Sequence, residues 1–409
     1  MFVASWQSFT GQRPPVRSLI FLIWIYSFTS SLIGVFTQIY LYQKFTNLSL
    51  NIIAQLMLYT GIMIGFCVPG YLASIFHLNI KRGFLISFVI LAASLLYLPH
   101  ISDVPTAYLA MFFLGTGQGM YWLTVNTFEL SETKDGERDL YASFLNAGNQ
   151  ILGLLGPACA VLLIWLSESI FHFGTFALLF TVAPVTYLLG FFCFAGIRDY
   201  HPSSIEWADV KYFFTDRKNQ FAQFYSLGTG FQQTLAVTIP PLVLLVILGT
   251  ALRVGIYDTL FAVFSSVCII FISRYRTPTN RLLIYGLTTA GVALITIWYG
   301  YAFSLAALIL YTLIEGVLSP LMNVSSHVID LYAMEIGRKE TDFYPTMLLR
   351  DFFLWIWRVV GGLIFLFVIG YTGTGRDALS MGLYLIAAFY ILMYLGAYLL
   401  VKSAMKPGI

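Results

Sequence analysis

Two ionisable residues stand deep inside apolar runs, where such groups are rare. Glu315 lies about 11 residues and Arg358 about 13 residues from the outer ends of their runs, or ~16 Å and ~20 Å at the rise of a helix. A charge in hydrocarbon costs several kcal/mol unless it is partnered, so intramembrane ionisable groups mark ion or substrate pathways. A carboxylate that alternates between wet and occluded surroundings can take up and release a proton. An arginine beside it can bias that exchange or hold an anionic solute. Glu315 and Arg358 are therefore expected to meet as a pair. The competing reading is a static pair that fixes helix packing. Asp258, nearer the outer face, and His327, on the cytoplasmic side of Asn323, are further proton-handling candidates. Arg253 lies five residues before Asp258 and does not share its face well, so it is expected to snorkel outward.

A second set of residues could hold a solute. Gln118, Trp122 and Asn126 recur every four residues and share a helix face, with Tyr121 beside them. Asn146, Asn149 and Gln150 repeat the pattern in the next apolar run. Gln232, Gln233, Asn323 and Trp355 complete the set. Amides facing lipid are costly, so they should face protein or a watery cavity. Amides with flat aromatics suit neutral or amphipathic organic molecules. The other reading is interhelical hydrogen-bond glue, which would claim about half of the set. Aromatics make up 17% of the chain, and most must face lipid or the interface, so only Tyr121 and Trp122 are selected. Glu129, at the inner end of its run, is a gate partner for Lys81 or Arg82. Asp330, Arg350 and Asp351 sit at inner helix ends and read as interfacial or latching groups.

The elements that position these residues are membrane helices. The chain has 409 residues, 59% hydrophobic and 10% charged, far below the roughly one quarter charged of a soluble domain. Twelve runs reach about the ~20 residues needed to cross a bilayer. They are approximately Ser18–Tyr42, Asn51–Phe76, Phe84–His100, Ala107–Glu129, Tyr141–Glu168 and Phe176–Ile197, then Phe221–Leu248, Ala251–Ser273, Leu282–Tyr301, Ser304–Leu331, Met347–Tyr371 and Met381–Lys402. The seventh and eighth are separated mainly by Gly249, Thr250 and Arg253. Basic residues gather at the N-terminus, in alternate loops and at the C-terminus, which puts both termini in the cytoplasm. Arg13 and Arg17 precede a first run too long for a signal peptide, so it is expected to stay as a membrane helix. The polar interval between the two sets of six holds Ser203 and Glu206 at capping-box spacing, followed by a short amphipathic stretch expected on the membrane surface. The organisation is then an N-terminal bundle over 1–197, a linker over 198–220 and a C-terminal bundle over 221–409.

The halves repeat. Gln118 and Gly119 correspond to Glu315 and Gly316, Asn126 to Asn323, and Asp139 and Tyr141 to Asp342 and Tyr344. Such internal repeats are a mark of secondary transporters. Pro69, Pro157, Pro240, Pro241 and Pro320 fall inside spans and predict bends.

Other classes find little support. The net charge of +3 comes without a basic block, which argues against nucleic-acid binding. The five histidines show no metal-ligand spacing, and the four cysteines are dispersed in apolar runs as small hydrophobes. No nucleophile–base set or phosphate loop is visible, so no enzyme, metal or cofactor is expected.

With its twelve spans, central linker and half-to-half similarity, the chain resembles the major facilitator superfamily over nearly its whole length. Between spans two and three, Gly70, Leu72, Ala73, Lys81 and Arg82 fit that family's loop motif, while Ser74 and Ile75 stand at its Asp and Arg positions. In span four Gln118 and Gly119 match a pattern of proton-coupled members, with Gly115 at its Arg position. In span five Gly156 and Pro157 match part of an antiporter pattern. The resemblance implies an all-α membrane protein of two pseudo-symmetric six-helix bundles that rocks about a central site. It implies a monomer in a bacterial cytoplasmic membrane, with a small-molecule solute, protons and the bilayer as partners. Export of an amphipathic compound is slightly favoured over uptake or facilitated movement of a sugar-like or polar metabolite. The alternative of another class is a receptor or scaffold that kept this fold without transport, which the residues at 74, 75 and 115 would suit.

Overall fold

The computed structural model describes residues 13–76, 80–132, 135–196, 207–272, 281–336, 344–373 and 375–404. All regular structure among them is helical. The helices are α1 (Pro14–Phe45), α2 (Leu48–Phe76), α3 (Ile80–Tyr97), α4 (Val104–Glu132), α5 (Asp135–Ser169) and α6 (Ala177–Leu188), the last continuing as a 3-10 segment to Gly196. After α7 (Trp207–Thr215) come α8 (Arg217–Leu248), α9 (Ala251–Ile272), α10 (Arg281–Ala302), α11 (Leu305–Ile336), α12 (Tyr344–Thr372) and α13 (Arg376–Ala404).

Eleven helices among the described residues are long and apolar enough to cross a bilayer. The remaining long one, α4, has 29 residues but is diluted by Gln118, Asn126, Thr124 and three glycines. Its reduced apolarity is the same feature that singled it out as a carrier of solute contacts. The turn expected between spans seven and eight is present: α8 ends at Leu248 and Gly249 takes φ +84°, a value that favours glycine. Arg253 is exposed there and caps the Leu248 carbonyl from Nη1 at 3.2 Å. Pro69, Pro157, Pro240, Pro241 and Pro320 all lie within helices.

The chain falls into two contact units. The first comprises residues 1–37 and 60–204, the second 38–59 and 205–409. In the first, α2 and α4 cross backbone to backbone. A Cβ at Gly119 would lie 2.1 Å from the Ile62 carbonyl oxygen, and one at Gly65 would lie 2.2 Å from that of Thr116. Small residues permit such approach, and close packing drives helix association where lipid removes the hydrophobic force. In the second unit, Gly228 and Gly396 bring α8 and α13 equally close: the missing Cβ atoms would sit 2.5 Å from Met393 N and 2.6 Å from Tyr225 Cα. Gly316 faces α9, where its Cβ would meet Phe264 at 2.6 Å. Gly119 on α4 and Gly316 on α11 thus each receive the second helix of their own half, in the register read from the sequence.

The short helix of the linker exists as α7, and it packs on protein. Phe213 is buried, and its ring lies 5.7 Å from that of Phe353 on α12, with Phe214 at 5.3 Å. Gln220 and Gln223 of α8 donate to the carbonyls of Phe214 and Phe213 at 3.2 and 3.1 Å. Ser203 and Glu206 lie outside the described residues.

Candidate functional site

The polar residues selected from the sequence divide between the two units, and each group has its own chemistry.

In the first unit, α1, α3, α4 and α6 build an aromatic cluster. Tyr26 stacks on Tyr121 with ring centroids 3.8 Å apart, and Trp122 meets both edge-on at 5.5 and 5.3 Å. Phe84 and Phe88 close over Tyr121 at 6.0 Å each. Such pairs contribute about 0.5–1.5 kcal/mol each beyond their burial. Tyr121 is wholly buried, so it serves as the wall behind Trp122, which is 39% exposed. Trp24 donates from Nε1 to the Leu145 carbonyl of α5 at 3.3 Å, across a contact that Gly148 leaves open. The Thr29 and Thr186 hydroxyls bond at 2.6 Å. The Tyr121 and Tyr141 hydroxyls and Asn149 Oδ1 are buried with no hydrogen-bond partner among the described residues. Gln118 and Asn126 are half-buried. Glu129 neighbours the phenols of Tyr121 and Tyr141. The Lys81 ammonium lies 4.9 Å over the Phe194 ring, and Arg82 is exposed. The side chains of Asn146 and Gln150, and of the motif positions 72–75, lie outside the described residues.

In the second unit, Arg358 of α12 is held by α8 and by the first turns of α2. Its Nε and Nη2 donate to one atom, Gln233 Oε1, at 3.0 and 2.6 Å. Its guanidinium carbon stands 4.7 Å from the Tyr59 ring centroid, a cation–π contact. The Tyr59 hydroxyl donates to the Gln233 main-chain carbonyl at 3.0 Å, which ties the phenol to the backbone of α8. Thr234 donates from Oγ1 to the Arg358 carbonyl at 2.9 Å. Asp351, two turns back on α12, lies within electrostatic reach of both Arg350 and Arg358.

Glu315 of α11 sits apart. Its Oε1 accepts from Ser319 Oγ at 3.5 Å, and Tyr311, one turn before it, reaches its carboxylate. The phenols of Tyr257, Tyr299 and Tyr390 lie within electrostatic reach of it. Tyr311 stacks on Tyr299 at 4.8 Å, Tyr257 bonds to Thr312, and Gln232 Nε2 donates to the Tyr390 hydroxyl at 3.3 Å. Among the described residues, Glu315 thus has phenols and a serine around it and no cation.

The expected pair between Glu315 and Arg358 is not formed among the described residues. Each instead has neutral partners from its own neighbourhood: phenols and a serine for the acid, an amide and a phenol for the base. Asp258 is half-buried, with no side-chain hydrogen bond or ion pair among the described residues. Asn323 is exposed and Trp355 half-buried, while the side chains of His327 and Asp330 lie outside the described residues. Tyr59 and the phenols around Glu315 were not selected from the sequence. Tyr311 and Ser319 stand at i−4 and i+4 from Glu315, a spacing that could have found them. Tyr59 is 174 residues from Gln233, and no spacing rule reaches that far.

The Major Facilitator Superfamily model matches residues 2–157. Among curated proteins, a 154-residue match is 29% identical to uncharacterized protein YqgE of Bacillus subtilis (strain 168); it covers 35% of this chain and only 34% of that relative. Solved structures match along almost the whole chain. A bacterial homolog of the human lysosomal transporter Spinster, inward-facing and occupied, superimposes with TM-score 0.65 at 12% identity, covering 97% of this chain and 100% of that one. The nucleoside transporter NupG gives 0.63 at 14% identity, covering 93% and 99%. The human organic anion transporter MFSD10 gives 0.61 at 12%, also covering 93% and 99%. At these identities the likeness is one of fold.

Proposed function

Starting from a multi-pass integral membrane protein with the major facilitator fold, whose residues 2–157 match that family's model, we propose that this chain is a secondary transporter. It moves a small organic solute by alternating access and couples that movement to protons through Glu315. The observation that carries the reading is the setting of Glu315: a carboxylate in an apolar helix, reached by the Tyr311 phenol and the Ser319 hydroxyl, with no basic partner among the described residues. A structural acid in lipid is expected to be neutralised by a cation. An acid that must gain and lose a proton is better served by hydroxyls, which can donate to the ionised form and accept from the protonated one.

In the first unit, Trp122 with half-buried Gln118 and Asn126 supplies flat and amide surfaces for an amphipathic solute. Export is the direction favoured by the partial antiporter pattern at Gly156 and Pro157. Both termini are placed in the cytoplasm by the distribution of basic residues, and the working unit is a monomer.

The test is flux in proteoliposomes with an imposed pH gradient and a broad panel of labelled organic solutes. Wild type should move at least one solute in proportion to the gradient. Glu315→Gln should keep solute exchange at equal pH while losing gradient-driven accumulation. Wild-type protein that moves nothing across the panel would favour the receptor or scaffold reading.

A further inference from the structure

We propose that Arg358 is the docking point for the carboxylate of an amphipathic organic anion, which makes the solute an organic acid rather than a neutral compound. This deepens the transport reading above and rests on it.

The argument begins with the donors of the guanidinium. Arginine presents five N–H groups in a rigid plane. The Nε–H and one Nη2–H of Arg358 converge on Gln233 Oε1. That contact occupies one edge of the plane with a single neutral acceptor. The second Nη2–H and both Nη1–H groups form the other edge, and no further hydrogen bond or ion pair of Arg358 exists among the described residues. This free edge is the geometry that takes both oxygens of a carboxylate. The remaining contacts fix the cation without neutralising it. Tyr59 supports its face and is itself bonded to the α8 main chain at residue 233, and Thr234 anchors the Arg358 main chain.

Charge along the helix points the same way. α12 carries one acid, Asp351, seven residues before Arg358. Asp351 forms no ion pair with Arg358 among the described residues. A cation held in place and half-buried, with no ion pair among the described residues, calls for an anion from outside the chain. Trp355 stands three residues before Arg358 and so shares its helix face. An indole one turn from the guanidinium suits the apolar body of an aromatic or similarly flat acid.

Binding of matched pairs tests the inference. Indole-3-acetate and indole-3-acetamide, then 2-naphthylacetate and its amide, are titrated calorimetrically into the full chain in phosphatidylcholine nanodiscs. Wild type should bind each carboxylate about ten-fold or more tightly than its amide, the contribution of one charge-assisted contact. Arg358→Gln should bring that ratio to about one. Arg358→Lys keeps the charge without the fork and should retain part of the preference. Gln233→Glu supplies the missing anion permanently, so it should abolish carboxylate binding while raising the melting temperature; that rise separates a filled site from a misfolded one. Equal binding of acid and amide by wild type, a ratio that survives in folded Arg358→Gln, or no binding of either member overturns the inference. Gradient-driven flux of neutral solutes in the liposome assay, seen with any of those results, would leave the transport reading standing; failure of both assays removes both.

Discussion

The bridge between α8 and α12 offers a direct measure of what the second unit spends on holding Arg358. Gln233→Leu removes the carboxamide oxygen that accepts both Nε and Nη2 and keeps a side chain of similar bulk. The Tyr59 bond survives, because it ends on the main-chain carbonyl of residue 233. A hydrogen bond to a charged group contributes roughly 1.5–3 kcal/mol, and two donors sharing one oxygen are worth less than twice that, so a loss of about 3 kcal/mol is expected. For a chain of this size that lowers the melting temperature by about 6 °C. Thermal unfolding in detergent, followed by intrinsic fluorescence at one fixed scan rate, reads the shift. Arg358→Met alone should cost a similar amount by orphaning the amide. The double variant should cost less than the two losses added, with a coupling of about 2 kcal/mol, since the charge and its acceptor leave together. A Gln233→Leu protein melting within about 1 °C of wild type would refute the reasoning, given that scale. So would an equal drop in the Arg358→Met background.

Two further predictions concern packing and capping. Gly119→Leu drives a side chain into the Ile62 carbonyl at the α2–α4 crossing and should destabilise by roughly 3 kcal/mol or more, read as a lower melting temperature or loss of the monodisperse peak. Asp103 caps α4, accepting from Thr106 N at 2.9 Å, and its carboxyl is held below the ordinary range by the backbone and then the hydroxyl of Thr106. A depressed carboxylate stabilises the fold above its unfolded pKa, near pH 4, and that support fades as pH falls through the lowered folded value. The melting difference between wild type and Asp103→Asn should therefore shrink below about pH 4, and a difference constant from pH 7 to pH 3 would contradict it.

The helices were legible because hydrocarbon leaves the backbone few alternatives: an apolar run of the right length must satisfy its own amides. Even the turn at Gly249, the faintest boundary, carried a residue able to take positive φ. The repeat register was legible too, since Gly119 and Gly316 answer to the same need for a near neighbour. Partners were a different matter. Arg358, Gln233 and Glu315 could each be singled out as costly in lipid, but pairing the acid with the base followed from charge alone. The structure gives each a neutral companion. Tyr59, like the phenols around Glu315, was hidden among 26 tyrosines, most of which lipid or the interface could equally have claimed. Tyr121 shows the converse: it shares its stretch of α4 with amides yet is roofed by Tyr26, Phe84 and Phe88.

The seating of α7 on Phe353 decides where this polypeptide tolerates being severed. A junction placed before Trp207 hands the whole aromatic dock, together with its two glutamine clasps, to the downstream fragment. A nick beyond Thr215 would instead strand Phe213 and Phe214 on the wrong piece and leave an oily scar on α12. Co-expressed halves divided at the first position should therefore stay soluble in mild detergent, whereas those divided at the second should clump.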